Sequence, residues 1–388
     1  MTKSRSAIVK SDQKIVFSVE YAFLGNILFI CFQTIHGLET QMRVLVTGHN
    51  GYIGSVMVPM LLAKGFDVVG LDNDLYEGSV FGDKSLYGGI PNIPYLRKDI
   101  RDIELSELQG IDSVVHLCAL SNDPLGNFAP NITYEINYEA SVKLAKLAKK
   151  AGVQRLVFSS SCSVYGASKH DIVNEESELN PVTPYGTSKI YAEQTISALA
   201  DSKFSPVFMR PATAYGVSPM LRFDLVLNNF IAWAYTKKIV LLKSTGNAWR
   251  PIVHIEDISR AFIAALTAPR ELIHNQVFNV GITEENYIVK ELAKIAKETV
   301  PNSEIKYAKD AEPDKRSYRV DFSKIASTLP EFKPQWNARL GAKQLYEAFK
   351  KFGLKLEDFE GPRYRRISHL ENHVANGVLD KTLRRKSA

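Results

Sequence analysis

Tyr185 and Lys189 stand four residues apart in Pro184-Tyr185-Gly186-Thr187-Ser188-Lys189, a spacing that puts both side chains on one face of a helix. A free phenol titrates near about pH 10, too high for a base at neutral pH, but a neighbouring ammonium favours the phenolate. Upstream, the run Ser159-Ser160-Ser161-Cys162-Ser163 supplies hydroxyls able to hydrogen-bond a reacting oxygen. This set of groups suits removal of a proton from an alcohol. Cys162 reads as a small buried filler, because nothing near it in sequence lowers its pKa. His116 reads as a structural histidine and is given no catalytic role, and no metal is called for.

A second motif supplies the oxidant. Gly48, Gly51 and Gly54 recur at spacing three directly after the strand-like Val44-Leu45-Val46-Thr47 and before a helical pattern. Glycines there permit a tight turn and close approach of a pyrophosphate, which meets the N–H groups of the helix start at Asn50, Tyr52 and Ile53. Asp72, eighteen residues after Gly54 at the end of the next apolar run, can accept from adenosine ribose hydroxyls. A carboxylate there repels a 2′-phosphate, so the predicted cofactor is NAD. The alternative for Asp72 or its neighbour Asp74 is a turn cap.

These residues need a scaffold that brings strand ends together. From Arg43 onward, short apolar runs alternate with amphipathic stretches, which predicts a doubly wound α/β fold with a parallel sheet. The expected strands are 43–47, 67–71, 95–98, 113–117, 155–159 and 206–210, and the expected helices 52–64, 134–151, 184–199, 224–235 and 288–299. Asp99 and Ile100 follow the third strand, Leu117 and Ala119 the fourth, all at the sheet edge where such folds bind ligands. Ser121-Asn122-Asp123 form a candidate sugar-facing loop, with a polar turn before Pro124 as the alternative. The predicted boundaries are an extension at 1–41, a dinucleotide-binding domain at 42–210, a smaller, mainly substrate-binding lobe at 211–350 whose segments can interleave, and a basic tail at 351–388.

Composition narrows the class. The 388 residues are 45% hydrophobic and 23% charged, proportions of a globular protein rather than a disordered or multi-span membrane one. The net charge of +6 is concentrated: residues 361–388 carry seven Lys/Arg against Glu371 and Asp380, leaving +1 for the other 360. A polyanion such as nucleic acid is therefore not an expected partner of the catalytic body. Three cysteines, Cys31, Cys118 and Cys162, do not make a disulfide framework, and a cytoplasmic location is expected. At the amino terminus, Lys3, Arg5, Lys10 and Lys14 precede an apolar stretch from Ala22 to Phe32. That order resembles a targeting segment or short anchor, but the stretch falls below the roughly 20 residues a span requires, so a dispensable extension ahead of Met42 is the preferred reading.

Taken together, the glycine triplet, Asp99, the serine run, the Tyr185/Lys189 pair and Val253-His254-Ile255-Glu256-Asp257-Ile258 resemble the extended short-chain dehydrogenase/reductase family, in its sugar-nucleotide epimerase and dehydratase branch. The resemblance covers about Met42 to Phe349. It implies a Rossmann domain with a smaller carboxyl-terminal lobe for a nucleoside-diphosphate sugar, and a homodimer through helices near 134–151 and 184–199. By position, it implies Tyr185 as general base, Ser161 as catalytic hydroxyl and Lys189 on the nicotinamide ribose. It further implies Arg250, with Arg316 or Arg319, on the substrate diphosphate, and Asn228 or Asn229 as substrate contacts. The branch's 4,6-dehydratases carry an Asp-Glu pair just after the catalytic hydroxyl, whereas this chain has Cys162 and Ser163. The resemblance therefore favours a 4-epimerase, with a 4-dehydrogenase or ketoreductase as alternative; a dehydratase or a non-catalytic NAD-binding scaffold is disfavoured.

Overall fold

The computed structural model describes residues 5–10, 16–24, 27–35, 41–168, 171–312, 314 and 316–386. The chain divides into two units, Met1–Met42 and Arg43–Ala388. In the first, strands Arg5–Lys10, Val16–Leu24 and Ile27–Ile35 pair antiparallel in chain order. The apolar stretch lies on the second and third of these strands, with Gly25 and Asn26 outside the described residues. Among the described residues, no helix is long and apolar enough to cross a membrane.

The second unit is built on seven parallel strands: β1 (Arg43–Thr47), β2 (Asp67–Asp72), β3 (Tyr95–Arg97), β4 (Ser113–His116), β5 (Arg155–Ser159), β6 (Ser205–Pro211) and β7 (Val277–Val280). Their order across the sheet is β3-β2-β1-β4-β5-β6-β7. The fold is thus the doubly wound Rossmann-like sheet expected from the alternation. Val44, Leu45 and Val46 are all fully buried, as residues covered on both faces of a parallel sheet must be. The order reverses between β1 and β4, which opens a crevice at the carboxyl ends of these two strands.

Helices α1 (Gly54–Ala63), α2 (Ala140–Ala151) and α3 (Pro184–Ser197) lie close to their expected ranges. Residues Glu135–Glu139, expected as the start of the helix at 134–151, are wound as a π-helix. The wider turn accompanies a bond set at Asn137, whose side chain accepts from Leu120 N at 2.8 Å and donates to Leu120 O at 3.1 Å. It thereby fixes the loop that follows β4. Gly152, at φ 89°, ends α2 in the left-handed conformation.

The smaller lobe contains α4 (Val226–Lys237), α6 (Val289–Thr299) and α7 (Ala338–Phe352), while α5 (Ile255–Thr267) follows strand Trp249–His254. Phe230, Ile231, Leu292, Ile295, Leu345 and Phe349 share one apolar core there, separate from the core of Leu45, Val114, Leu144, Leu156 and Phe158 beside the sheet. The two parts exchange segments. β7 joins the central sheet from beyond Pro211, and Ile172–Val173 pairs with Arg319–Val320 on the lobe side.

The basic tail is folded onto the rest of this unit. It forms α8 (Arg366–Ala375), and it packs into both cores: Phe359 and Tyr364 join the lobe cluster, and Leu370, Leu379 and Leu383 the sheet cluster.

Candidate active site

Crowding fixes the glycine turn. Gly48 has φ 75°, and a Cβ on it would stand 2.9 Å from Cys118 N. At Gly54 a Cβ would meet Gly48 O at 2.4 Å and His49 O at 2.5 Å, so only glycine lets α1 start this close to β1. Asp72, at the end of β2, accepts from Asn50 N at 3.1 Å and from Asp74 N at 2.9 Å. Burial pushes its pKa up to about 6, with the Asp74 charge adding to the effect and the backbone hydrogen bonds opposing it. Asn50 Oδ1 beside it is buried without a hydrogen-bond partner, an acceptor suited to a donor from a bound group. Asp99 is committed instead to Arg101, taking bonds at 2.9 Å from Nε and 2.7 Å from Nη2. Burial pushes Asp99 up, but these bonds hold it below the ordinary carboxylate value.

A cleft of about 1300 Å³ runs from this turn across the switch point. Gly48, Asn50, Gly51, Tyr52, Ile53, Gly54, Asp72, Asp99, Ile100, Leu117 and Ala119 all line it. Glycines that a Cβ would fill, a carboxylate at the end of β2 and an unsatisfied acceptor beside it fit a dinucleotide. His116, by contrast, is held between Thr47 Oγ1 at 2.6 Å and Ser141 Oγ at 2.8 Å, and burial pushes its pKa down to about 3. It is a neutral structural histidine.

The serine run leaves β5 into the same cleft. Ser161 accepts from Ser163 N at 3.1 Å and caps a short 3₁₀ turn, and its hydroxyl favours the phenolate form of Tyr185. Ser160 Oγ is buried without a partner. Thr183 caps α3 by accepting from Gly186 N at 3.2 Å, with Pro184 in the first turn, which sets Tyr185 and Lys189 on the cleft side. Tyr185 is 8% exposed and Lys189 2%. Lys189 Nζ donates to Ser159 O at 2.7 Å and lies 5.9 Å from the Tyr185 ring centroid. Burial pushes Tyr185 up to about 12, opposed by Ser161 and reinforced by the Asp123 charge, and pushes Lys189 down to about 8. Without a bound cation the tyrosine is therefore held as the neutral phenol. Cys162 is buried, its thiol pushed up by burial and donating to Arg210 O at 3.1 Å.

Opposite these groups stand Ser121, Asn122, Asn229, Arg250 and Arg316, all lining the cleft. Two expected contacts lie elsewhere. Asn228 is fully buried, donating to Arg222 O at 2.9 Å and accepting from Gly216 N at 3.0 Å, so it fastens the loop before α4. Arg319 lies over the Trp249 ring, 5.0 Å from its centroid, beside a separate small cavity. Of the two candidate arginines, it is Arg316 that faces the cleft. Its Nη1 bonds Asp123 at 2.6 Å, and Asp314 bonds both Arg316 and, at 2.5 Å, Arg250. The two arginines thus sit side by side behind a shared carboxylate.

Asp123, the third residue of the expected loop, also lines the cleft, and so do Arg222 and Arg366, which the sequence reading missed. Arg222 bonds Asp224 at 2.6 Å and Ser121 Oγ at 3.0 Å. The Arg222-Phe223-Asp224 triplet was a usable signal for such a pair, whereas nothing local marks Arg366 as reaching a distant cleft.

Comparison with known proteins accords with this geometry. Residues 44–281 match the model of the NAD dependent epimerase/dehydratase family. A putative UDP-glucose 4-epimerase of Methanocaldococcus jannaschii is 28% identical over 78% of this chain and 96% of its own length. A UDP-glucose 4-epimerase of Oryza sativa is 30% identical over 79% and 88%. Among solved structures, a UDP-glucuronic acid 4-epimerase from Bacillus cereus, in complex with UDP-glucuronic acid and NAD, is 26% identical with a TM-score of 0.69, covering 80% of this chain and 99% of that one. The chain therefore belongs to the NAD dependent epimerase/dehydratase family, among the extended short-chain dehydrogenases/reductases, and is an NAD-dependent enzyme of nucleotide-sugar chemistry.

Proposed function

We propose that the protein is a nucleotide-sugar 4-epimerase acting on a UDP-sugar. The observation that carries this is the convergence of Tyr185, Lys189 and Ser161 on one cleft while the two positions after Ser161 hold Cys162 and Ser163. In this reading Tyr185 takes the proton of the sugar hydroxyl at C4, and Ser161 donates a hydrogen bond to the oxygen as it becomes a carbonyl. Lys189 stabilises the phenolate and holds the nicotinamide ribose. NAD, when held by these residues, would supply the hydride acceptor and donor. Gly48 to Gly54, Asp72, Asp99, Ile100, Leu117 and Ala119 hold the dinucleotide. Arg250 and Arg316 exchange their carboxylate partners for the substrate diphosphate, while Ser121, Asn122 and Asn229 border the sugar. The UDP assignment draws on the relatives named above.

The test is incubation with UDP-glucose and related UDP-sugars, following both sugar isomers by NMR and NADH by absorbance. Interconversion without NADH accumulation is expected. NADH appearing mole for mole with product would identify a dehydrogenase instead. Replacing Tyr185 by Phe should lower turnover by orders of magnitude with NAD still bound, and near-normal turnover would refute the assignment.

One observation favours a second reading. Asp123 places a carboxylate in the same cleft wall, where it accepts from Thr183 Oγ1 at 2.6 Å. A carboxylate there is an agent for removing a C5 proton, which the sequence alone did not supply. Its pairing with both Thr183 and Arg316 argues for a positioning role. Elimination activity abolished in D123N would instead establish a dehydratase.

We further infer a homodimer packed through α2 and α3. Tyr191 on α3 is 46% exposed and stacks with Tyr134 at 6.2 Å, which presents aromatic surface on that face. A monomeric mass by light scattering would refute this.

A further inference from the structure

The basic carboxyl-terminal segment is left without a task by the reading above, yet it reaches the cleft. Arg365, Arg366 and Glu371 line the same cavity as the glycine turn and Asp72. The segment is fastened on either side. Arg385 donates to Asn73 O at 2.9 Å and Asp74 O at 2.6 Å, in the loop after β2. Tyr364 OH donates to Val80 O at 3.3 Å, and Ser79 Oγ is 3.2 Å from His369 Nδ1.

Arg366 reaches from the tail to the loop after β2 and to the segment before α4. Its guanidinium lies 3.9 Å over the ring of Tyr76, in the loop that begins at Asp72. Its Nη2 donates to Met220 O at 3.0 Å. Two residues on, Arg222 packs over the ring of Tyr52 on the glycine turn, 5.8 Å from its centroid. The guanidinium thus joins the loop after Asp72 to the Met220–Arg222 segment that packs on the glycine turn. Arg366 is only 5% exposed, and its Nη1 has no hydrogen-bond partner. Burying an unpaired cation is costly, and the nearest opposite charges do not answer it: Asp224 is committed to Arg222 at 2.6 Å, and Asp72 accepts from two backbone amides. A phosphate oxygen satisfies both the charge and the free N–H.

We propose that Arg366 binds the pyrophosphate of the dinucleotide, so that the carboxyl-terminal segment completes the cofactor site. This inference rests on the dinucleotide placement proposed above and is independent of the epimerase assignment. The test measures affinity of the full chain and its variants for NAD, ADP and adenosine by calorimetry. Arg366→Met should weaken NAD and ADP by on the order of tenfold or more and leave adenosine unchanged. Arg366→Lys keeps the charge and should recover part of that loss. The ligand-free melting temperature of each variant checks folding, and the NAD-induced rise in that temperature is a second readout, expected to shrink in R366M. Wild-type affinities for NAD and ADP in R366M would overturn the role of Arg366, and an equal loss of adenosine would overturn the phosphate assignment. Failure of the wild-type chain to bind NAD would instead overturn the dinucleotide placement itself.

Discussion

Replacing Lys189 by Met removes a cation from the wall of the cleft without shortening the side chain much. Lys189 Nζ lies 5.9 Å from the Tyr185 ring centroid, with both groups buried. At an effective dielectric of about 20, a charge at that distance stabilises a phenolate by about 2.8 kcal/mol. That equals about two pKa units, or about a hundredfold in the population of the reactive base at neutral pH. K189M should therefore lose about a hundredfold in kcat when NAD is saturating, which separates the electrostatic role from ribose binding. The acid limb of the pH–rate profile should move up by about two units in the same variant. The assay is the initial rate of UDP-sugar interconversion across a pH series. A loss of about fivefold or less with an unmoved limb would refute the coupling.

Other perturbations test other parts. Asp72 should bind NAD as a carboxylate, so affinity is full above its value of about 6 and falls as pH drops through it; calorimetry across that pH should find the effect absent in D72N. For folding the sign reverses: native Asp72 keeps its proton to higher pH than the unfolded chain, so its contribution to stability falls as pH rises from 3.8 to about 6. Arg210 and Glu193 pair at 2.5 Å, 4% and 7% exposed, and R210M should cost about 3–5 kcal/mol in chemical denaturation because it strands a buried carboxylate. Gly54→Ala should destabilise by roughly 1–3 kcal/mol and abolish measurable NAD binding, since the new Cβ falls on the Gly48 carbonyl.

Six of the seven strands were legible, most of them from apolar runs and glycine-bearing turns, both local signals, whereas β7 (Val277–Val280) was not anticipated. β1 and β5 match their expected ranges at both ends. The site residues at strand ends were legible for the same reason, since the switch point collects them. Less legible were contacts that depend on two distant segments. Asn228 and Asn229 are equivalent as neighbouring amides in sequence, and only the pitch of α4 turns one into the core and the other to the cleft. Arg316 and Arg319 differ likewise, one paired with Asp123 and the other laid on Trp249. The π-wound turn at Glu135–Glu139 has no composition signature, because its reason is a bond to Leu120. The docking of the tail was not legible because its charges are dense and its apolar residues sparse, yet Leu370, Leu379 and Leu383 supply the contacts that hold it.

The exchange of segments between the two parts has a consequence for how this enzyme could be altered. A cut near Pro211 takes β7 from the edge of the sheet and separates Ile172–Val173 from Arg319–Val320. Neither half would then keep its full complement of strands, so a substrate lobe borrowed from a relative could not be joined at a single crossover. Under the placement proposed above, changes of sugar preference in such a chain fall to replacements within the loops that border the sugar, such as the one that carries Ser121 and Asn122 into the cleft.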